Sequence, residues 1–194
     1  MNDRPMNRTP NEGFNGYQLK LNAAFGSLVS IYVDPDYPDD FIPGFVCALN
    51  GRQVLLGAVS NYGRYDGFLA VRLSSILMVL SEDDLALRLR RILQIDGFTP
   101  PDPVDVEPDE DLVHALCRAA QKRGQVITLL TPHGDCAGFV TALDDMRATI
   151  QTLDYFGQPA EAASVRIRDV DMASLGAEEE QMLQKLYEAE SAHT

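Results

Sequence analysis

No apolar run in this 194-residue chain approaches the length needed to cross a bilayer. The longest, around Val54–Val59 and Ile76–Leu80, are strand-sized, so no membrane contact is expected. Cysteine is scarce. Cys47, Cys117 and Cys136 are odd in number and widely spaced, which speaks against a disulfide framework and reads as reduced thiols in a core. Basic residues are few: 16 Lys and Arg stand against 29 Asp and Glu, a formal charge of −13. A uniformly acidic surface repels nucleic-acid phosphates and anionic lipid. The first residues are rich in Asn, Pro and Arg, with no apolar core of the kind a secretion signal needs. Residues 1–16 are read as a disordered tail, and a cytoplasmic location is expected.

Hydrophobic residues make up 45% and charged residues 23%, enough for a packed core. The segment 97–108 holds Pro100, Pro101, Pro103 and Pro108 with acids between them. Prolines so close together cannot continue a helix or a central strand, so this is read as a semi-extended linker. It divides the chain into a first unit over 17–96 and a second over 109–194.

Each unit shows β-rich runs followed by a helix. In the first, Phe45–Leu49 and Val54–Asn61 flank Asn50-Gly51, a strong hairpin signal. Phe68–Leu73 and Ile76–Leu80 come next. Ser81 with Asp84 suggests a helix start, and Leu85, Leu89 and Ile92 form one helical face. In the second, Leu112, Ala115, Leu116 and Ala119 predict a helix stopping at Gly124. Strands are predicted at Val126–Leu130, Gly138–Leu143, Ala148–Leu153 and Val165–Val170, with a turn at Pro132–Asp135. A short strand at Met172–Leu175 and a last helix with Met182, Leu183, Leu186 and Tyr187 on one side complete the unit.

The units align internally. Val71–Met78 lies over Val165–Met172 without a gap, 94 positions apart (165 − 71). Gly57–Ser60 lies over Gly138–Thr141 at 81 (138 − 57), which predicts a longer middle loop around Phe156–Ala163.

Gly138-Phe139-Val140-Thr141-Ala142-Leu143-Asp144 resembles the first motif of the Sm-like family, and Ser164 to Met172 resembles the second. The resemblance covers about residues 109–176, with a degenerate copy before it. It implies a mainly β fold with flanking helices: two tandem Sm-like or SH3-like five-stranded barrels. The family's RNA-holding residues are an asparagine after the first motif and an Arg-Gly pair in the second. Those places read Met146-Arg147 and Arg168-Asp169, and Ser74-Ser75 in the first unit. RNA binding is therefore the weaker expectation, with Arg147 and Arg168 as its candidate residues. The family's edge-to-edge strand pairing implies a protein partner or self-association, because an open barrel edge leaves backbone groups unpaired. Val71–Leu80 is nearly all apolar, so the two units are expected to pack on each other or on another chain.

Chemistry is sparse. His133, Asp135 and Cys136 share one turn and His114 precedes Cys117, but neither group has zinc-ligand spacing. The acidic loop Asp34–Asp40 lacks the glycine and terminal glutamate of an EF-hand. A hydrolase built on His133 and Cys136 is the third reading, after protein binding and RNA binding. No catalytic residue, metal or cofactor is assigned. Tyr62, Arg64 and Tyr65 alternate with glycines in one loop and form the best candidate contact surface. A non-enzymatic binding or self-assembling module is the expectation.

Overall fold

The computed structural model describes residues 10–34, 41–81, 83–99 and 102–191. A helix α1 (Pro10–Phe25) precedes strands β1 (Leu28–Tyr32), β2 (Ile42–Leu49), β3 (Gln53–Val59) and β4 (Tyr65–Arg72). A 3-10 turn over Leu73–Ser75 leads to β5 (Met78–Ser81) and helix α2 (Asp84–Ile95). The series then repeats as α3 (Leu112–Arg123), β6 (Val126–Thr131), β7 (Gly134–Leu143), β8 (Arg147–Leu153) and β9 (Pro159–Arg166). A second 3-10 turn over Ile167–Asp169, β10 (Met172–Leu175) and α4 (Glu178–Ser191) close it.

All ten strands among the described residues belong to one sheet in the order β5-β1-β2-β3-β4-β10-β6-β7-β8-β9. This corrects the expectation of two separate barrels: neither half closes on itself. The halves are fused by an antiparallel ladder between β4 and β10, with Met172 opposite Val71 and Leu175 opposite Phe68. Both strands are largely apolar at that ladder, and pairing removes their open edges from water.

The two halves repeat in hydrogen-bonding detail. Gly44 pairs Ala58 as Gly138 pairs Thr152, and both β2–β3 and β7–β8 break register at the same place, Val46/Ala48 and Val140/Ala142. The offset is 94 throughout this region (138 − 44). The sequence alignment of Gly57 with Gly138 is thereby corrected; Gly44 is the equivalent. A Cβ on Gly138 would lie 2.1 Å from the Gln151 carbonyl, and one on Gly44 would lie 3.0 Å from the Gly57 carbonyl. Close strand approach at the bulge requires the missing side chain at Gly138. The extra loop expected at Phe156–Ala163 is instead the turn into β9 and most of that strand.

The turns are copies too. The Asn50 Oδ1 accepts from the Arg52 and Gln53 amides, and the Asp144 Oδ1 accepts from Met146 and Arg147. Short Asx side chains satisfy amides that a tight turn leaves over. Gly63 and Gly157 both have φ of +78°, and a Cβ there would strike Ile92 of α2 or Leu186 of α4. Each trailing helix thus packs on the same turn of its own half.

Helix α1 is a further correction, because residues 10–16 fall in the expected tail. Its asparagines are anchors: Asn15 is buried and donates to the Ile76 carbonyl at 2.8 Å, and Asn22 donates to the Ser81 hydroxyl at 2.7 Å. Leu19 between them is fully buried with Val29, Ile31 and Leu56. The α2 N-cap is Asp83, not Ser81; its carboxylate accepts from the Ala86 amide. Burial in α2 falls on Ala86, Leu89 and Leu93 rather than on Leu85, Leu89 and Ile92. Helix α3 ends at Gly124 in the left-handed region, as its sequence predicts.

The proline-rich segment lies along the core. Val104 is buried and Val106 packs against the cluster built on α3. Arg118 donates to the Asp105 carbonyl at 2.8 Å, and Arg123 to the Pro103 carbonyl at 3.4 Å. Of the acidic loop, residues 35–40 lie outside those described.

Candidate functional site

The β4–β10 joint defines the chemistry available at a strand edge of this molecule. Val71, Ala70, Leu69 and Phe68 face Met172, Ala173, Ser174 and Leu175 across it. At its end Arg72 reaches into the second half. Its Nε donates to the Val170 carbonyl at 2.6 Å, and its Nη2 to the carbonyls of Ile167 (3.2 Å) and Arg168. The Asp171 carboxylate lies 3.7 Å away. One guanidinium therefore collects the carbonyls of a 3-10 turn, whose geometry leaves them poorly satisfied.

At the other end of the joint, Gly67 (φ +77°) makes room for the chain leaving β10. A Cβ there would fall 2.5 Å from the Ala177 amide nitrogen. The neighbouring Asp66 carboxylate accepts from the Glu178 amide at 2.9 Å, capping α4 from the first half.

The two outer strands of the sheet are the equivalents of this joined pair. Strand β9 corresponds to β4, and β5 to β10. Among the described residues nothing pairs with the outer side of either. Strand β9 is exposed along most of its length, and its sequence is mainly small: Ala160, Ala162, Ala163, Ser164 and Val165. On β5, Met78 is exposed and Val79 and Leu80 are half-buried. Arg166, at the position of Arg72, rests on Asp169 of its own turn at 2.7 Å.

The five residues expected from sequence are not gathered in one place. Tyr62 and Arg64 are exposed on the β3–β4 turn, Tyr62 to 85%. Tyr65 points elsewhere: its ring meets Phe68 edge-on and stacks on Phe98. Its hydroxyl is buried without a hydrogen-bond partner, and burial pushes its pKa up. Arg147 is exposed and hydrogen-bonds Ser164 of β9 at 3.0 Å, and Arg168 is exposed beside Asp169. The turn bearing Tyr62 and the 3-10 turn bearing Arg168 sit at opposite ends of β4. Sequence reasoning missed Arg72 and Arg166. Their signal was the coincident arginine in the gapless 94-residue match.

His114 and Arg118 both grip Glu110, at 2.9 and 2.8 Å, at the start of α3. His133 is exposed in the β6–β7 turn. Cys117 is buried and its thiol is pushed up to about 12, mainly by desolvation. Burial also raises the Cys47 and Cys136 thiols, the opposite of what a nucleophilic thiolate needs. No helix among the described residues is long and apolar enough to cross a membrane. No protein-family model matches the chain, and no curated protein matches it.

Proposed function

We propose that this chain is a non-enzymatic assembly module: two linked Sm-like units that bind protein through open strand edges. The observation that supports it best is the β4–β10 ladder, in which one half binds the other by edge pairing and, among the described residues, nothing pairs with the equivalent edges β5 and β9. Open edges are backbone templates for a further strand. Each half also has the helix-then-five-strands order of the Sm-like resemblance, with a 3-10 turn before its last strand. The formal charge of −13 favours protein over RNA as the partner.

Two measurements on the full chain test this. Light scattering over a range of concentrations is expected to show association, and affinity capture from the native cell is expected to recover a protein bound through β5 or β9. Anisotropy with A-rich and U-rich oligonucleotides is expected to show no tight binding at physiological salt. Tight RNA binding that weakens in Arg147→Ala and Arg168→Ala would replace this proposal with an RNA-binding one.

A further inference from the structure

We propose that the outer face of α2 docks an acidic, leucine-bearing helix of a partner protein, at a surface separate from the strand edges. Leu87, Arg91 and Ile95 form the ridge on which that helix packs.

The inner face of α2 belongs to the fold: Ala86, Leu89 and Leu93 are buried with Leu28 and Val59. The outer face carries Leu87, Arg88, Arg90, Arg91, Gln94 and Ile95, all exposed. Leu87 is 50% and Ile95 74% exposed, which leaves two large apolar side chains in water. Both sit with Arg90, Arg91 and Gln94 around one shallow depression of the surface. Leu87, Arg91 and Ile95 follow one another at intervals of four, so they make one ridge. It is about 12 Å long at 1.5 Å per residue. Arg64 adds a cation at its flank, on the turn that packs against α2 through Gly63 and Ile92.

Charge decides the occupant. Acidic residues outnumber basic ones 29 to 16. Arg118 accordingly rests on Glu110, and Arg166 on Asp169. Among the described residues, the side chains of Arg64, Arg88, Arg90 and Arg91 have neither an ion pair nor a hydrogen bond. The repeat supplies an internal control. Helix α4 packs on its own turn in the same way, through Gly157 and Leu186. Yet the places of Leu87, Arg88, Arg90 and Arg91 are taken there by Gln181, Met182, Gln184 and Lys185. Packing of the helix therefore does not require the arginines. Arginine is enriched at interface centres, where its stem covers apolar surface and its planar fork pairs carboxylates. A facing helix with leucines on either side of its carboxylates would meet both kinds of side chain on this ridge. An anionic membrane fits less well, because sinking Leu87 and Ile95 would drag Arg91, which lies between them, into the acyl layer. A phosphate backbone would pair the arginines and leave Leu87 and Ile95 uncovered.

Fluorescence anisotropy on the full chain tests this. The probe is a labelled Ala-based helical peptide with a Leu-Glu-Leu row at i, i+4 and i+8 and a second Glu beside the first; its twin has Lys for Glu. The Glu peptide is expected to bind, about tenfold more weakly in Arg91→Ala and in Ile95→Ser. Added salt is expected to weaken it. The Lys peptide is expected to bind only the chain carrying Arg90→Glu and Arg91→Glu. These residues are exposed, so thermal melts of the variants should match the unaltered chain. Failure of the Glu peptide to bind, or binding that survives both charge reversals, would overturn the proposal. Binding that needs the arginines but ignores Leu87→Ser and Ile95→Ser would reduce the face to a simple anion patch and overturn helix docking. Arginine-dependent binding of phosphatidylserine vesicles or of a single-stranded oligonucleotide, without peptide binding, would put a membrane or a nucleic acid there instead. None of the substituted residues lies on β5 or β9, so failure here leaves the assembly reading standing.

Discussion

Glu110 shows how one side chain ties the proline-rich strap to the core. Burial alone would raise its pKa, but hydrogen bonds from Arg118, the Glu107 amide and His114 outweigh that and hold it at about 2. A depressed carboxylate contributes stability where it is ionised in the unfolded chain, above its ordinary value of 4.5, and that contribution is lost as pH falls towards about 2. Glu110→Gln should therefore melt below the unaltered protein at pH 7, and the gap should close in acid. Circular-dichroism melts across that pH range measure it; a gap independent of pH would mean that the charge is irrelevant. Glu180 is shifted the other way, raised by desolvation against hydrogen bonds from Thr128, the Ala177 amide and Ser174. At this scale the sequence was legible where spacing alone sets the role, as at Gly124. It was not legible at Arg72, whose partners lie about a hundred residues away in the chain.

Elements repeat more faithfully than the residues that build them. The starts of α2 and α4 occupy equivalent positions, yet Asp83 caps α2 forwards onto the Ala86 amide, whereas Glu180 caps α4 backwards onto the Ala177 amide. Positions 83 and 86 correspond to 177 and 180, so the same hydrogen-bonding need is met from opposite sides. Both solutions satisfy amides that a helix start leaves free. The strap 102–111 is no free linker: proline content predicts extension but not contact. Since Val104 is buried and Arg118 holds the Asp105 carbonyl, limited proteolysis should spare this strap in the native protein. Arg118→Ala should expose it, giving early cleavage into two fragments of similar size. Rapid cleavage of the unaltered chain at 102–111 would show that the contacts do not hold it down.

For the whole molecule, the β4–β10 ladder makes the two halves one cooperative structure. Phe68, Ala70, Leu129, Ala173 and Leu175 share a single cluster that crosses the joint. Calorimetry should thus show one transition, and Arg72→Ala should lower the stability of the whole by about 2 kcal/mol, as removal of charge-assisted hydrogen bonds does. Two resolved transitions in the unaltered chain would mean that the halves unfold independently.

Local pattern was sufficient for much of this protein: Asn50-Gly51 and Pro132–Asp135 mark their hairpins, the Leu112–Ala119 stripe marks α3, and the Val71/Val165 match reports a repeated unit. Each of these rests on neighbours in sequence, where periodicity and turn chemistry act directly. Features that depend on long-range pairing were decided only by the tertiary structure. It placed Gly44 rather than Gly57 in register with Gly138, because a bulge is defined by the strand opposite. It made α1 a helix through the anchors of Asn15 and Asn22 on Ile76 and Ser81. It also joined two expected barrels into one sheet, since which edges meet depends on two strands brought together from distant parts of the chain.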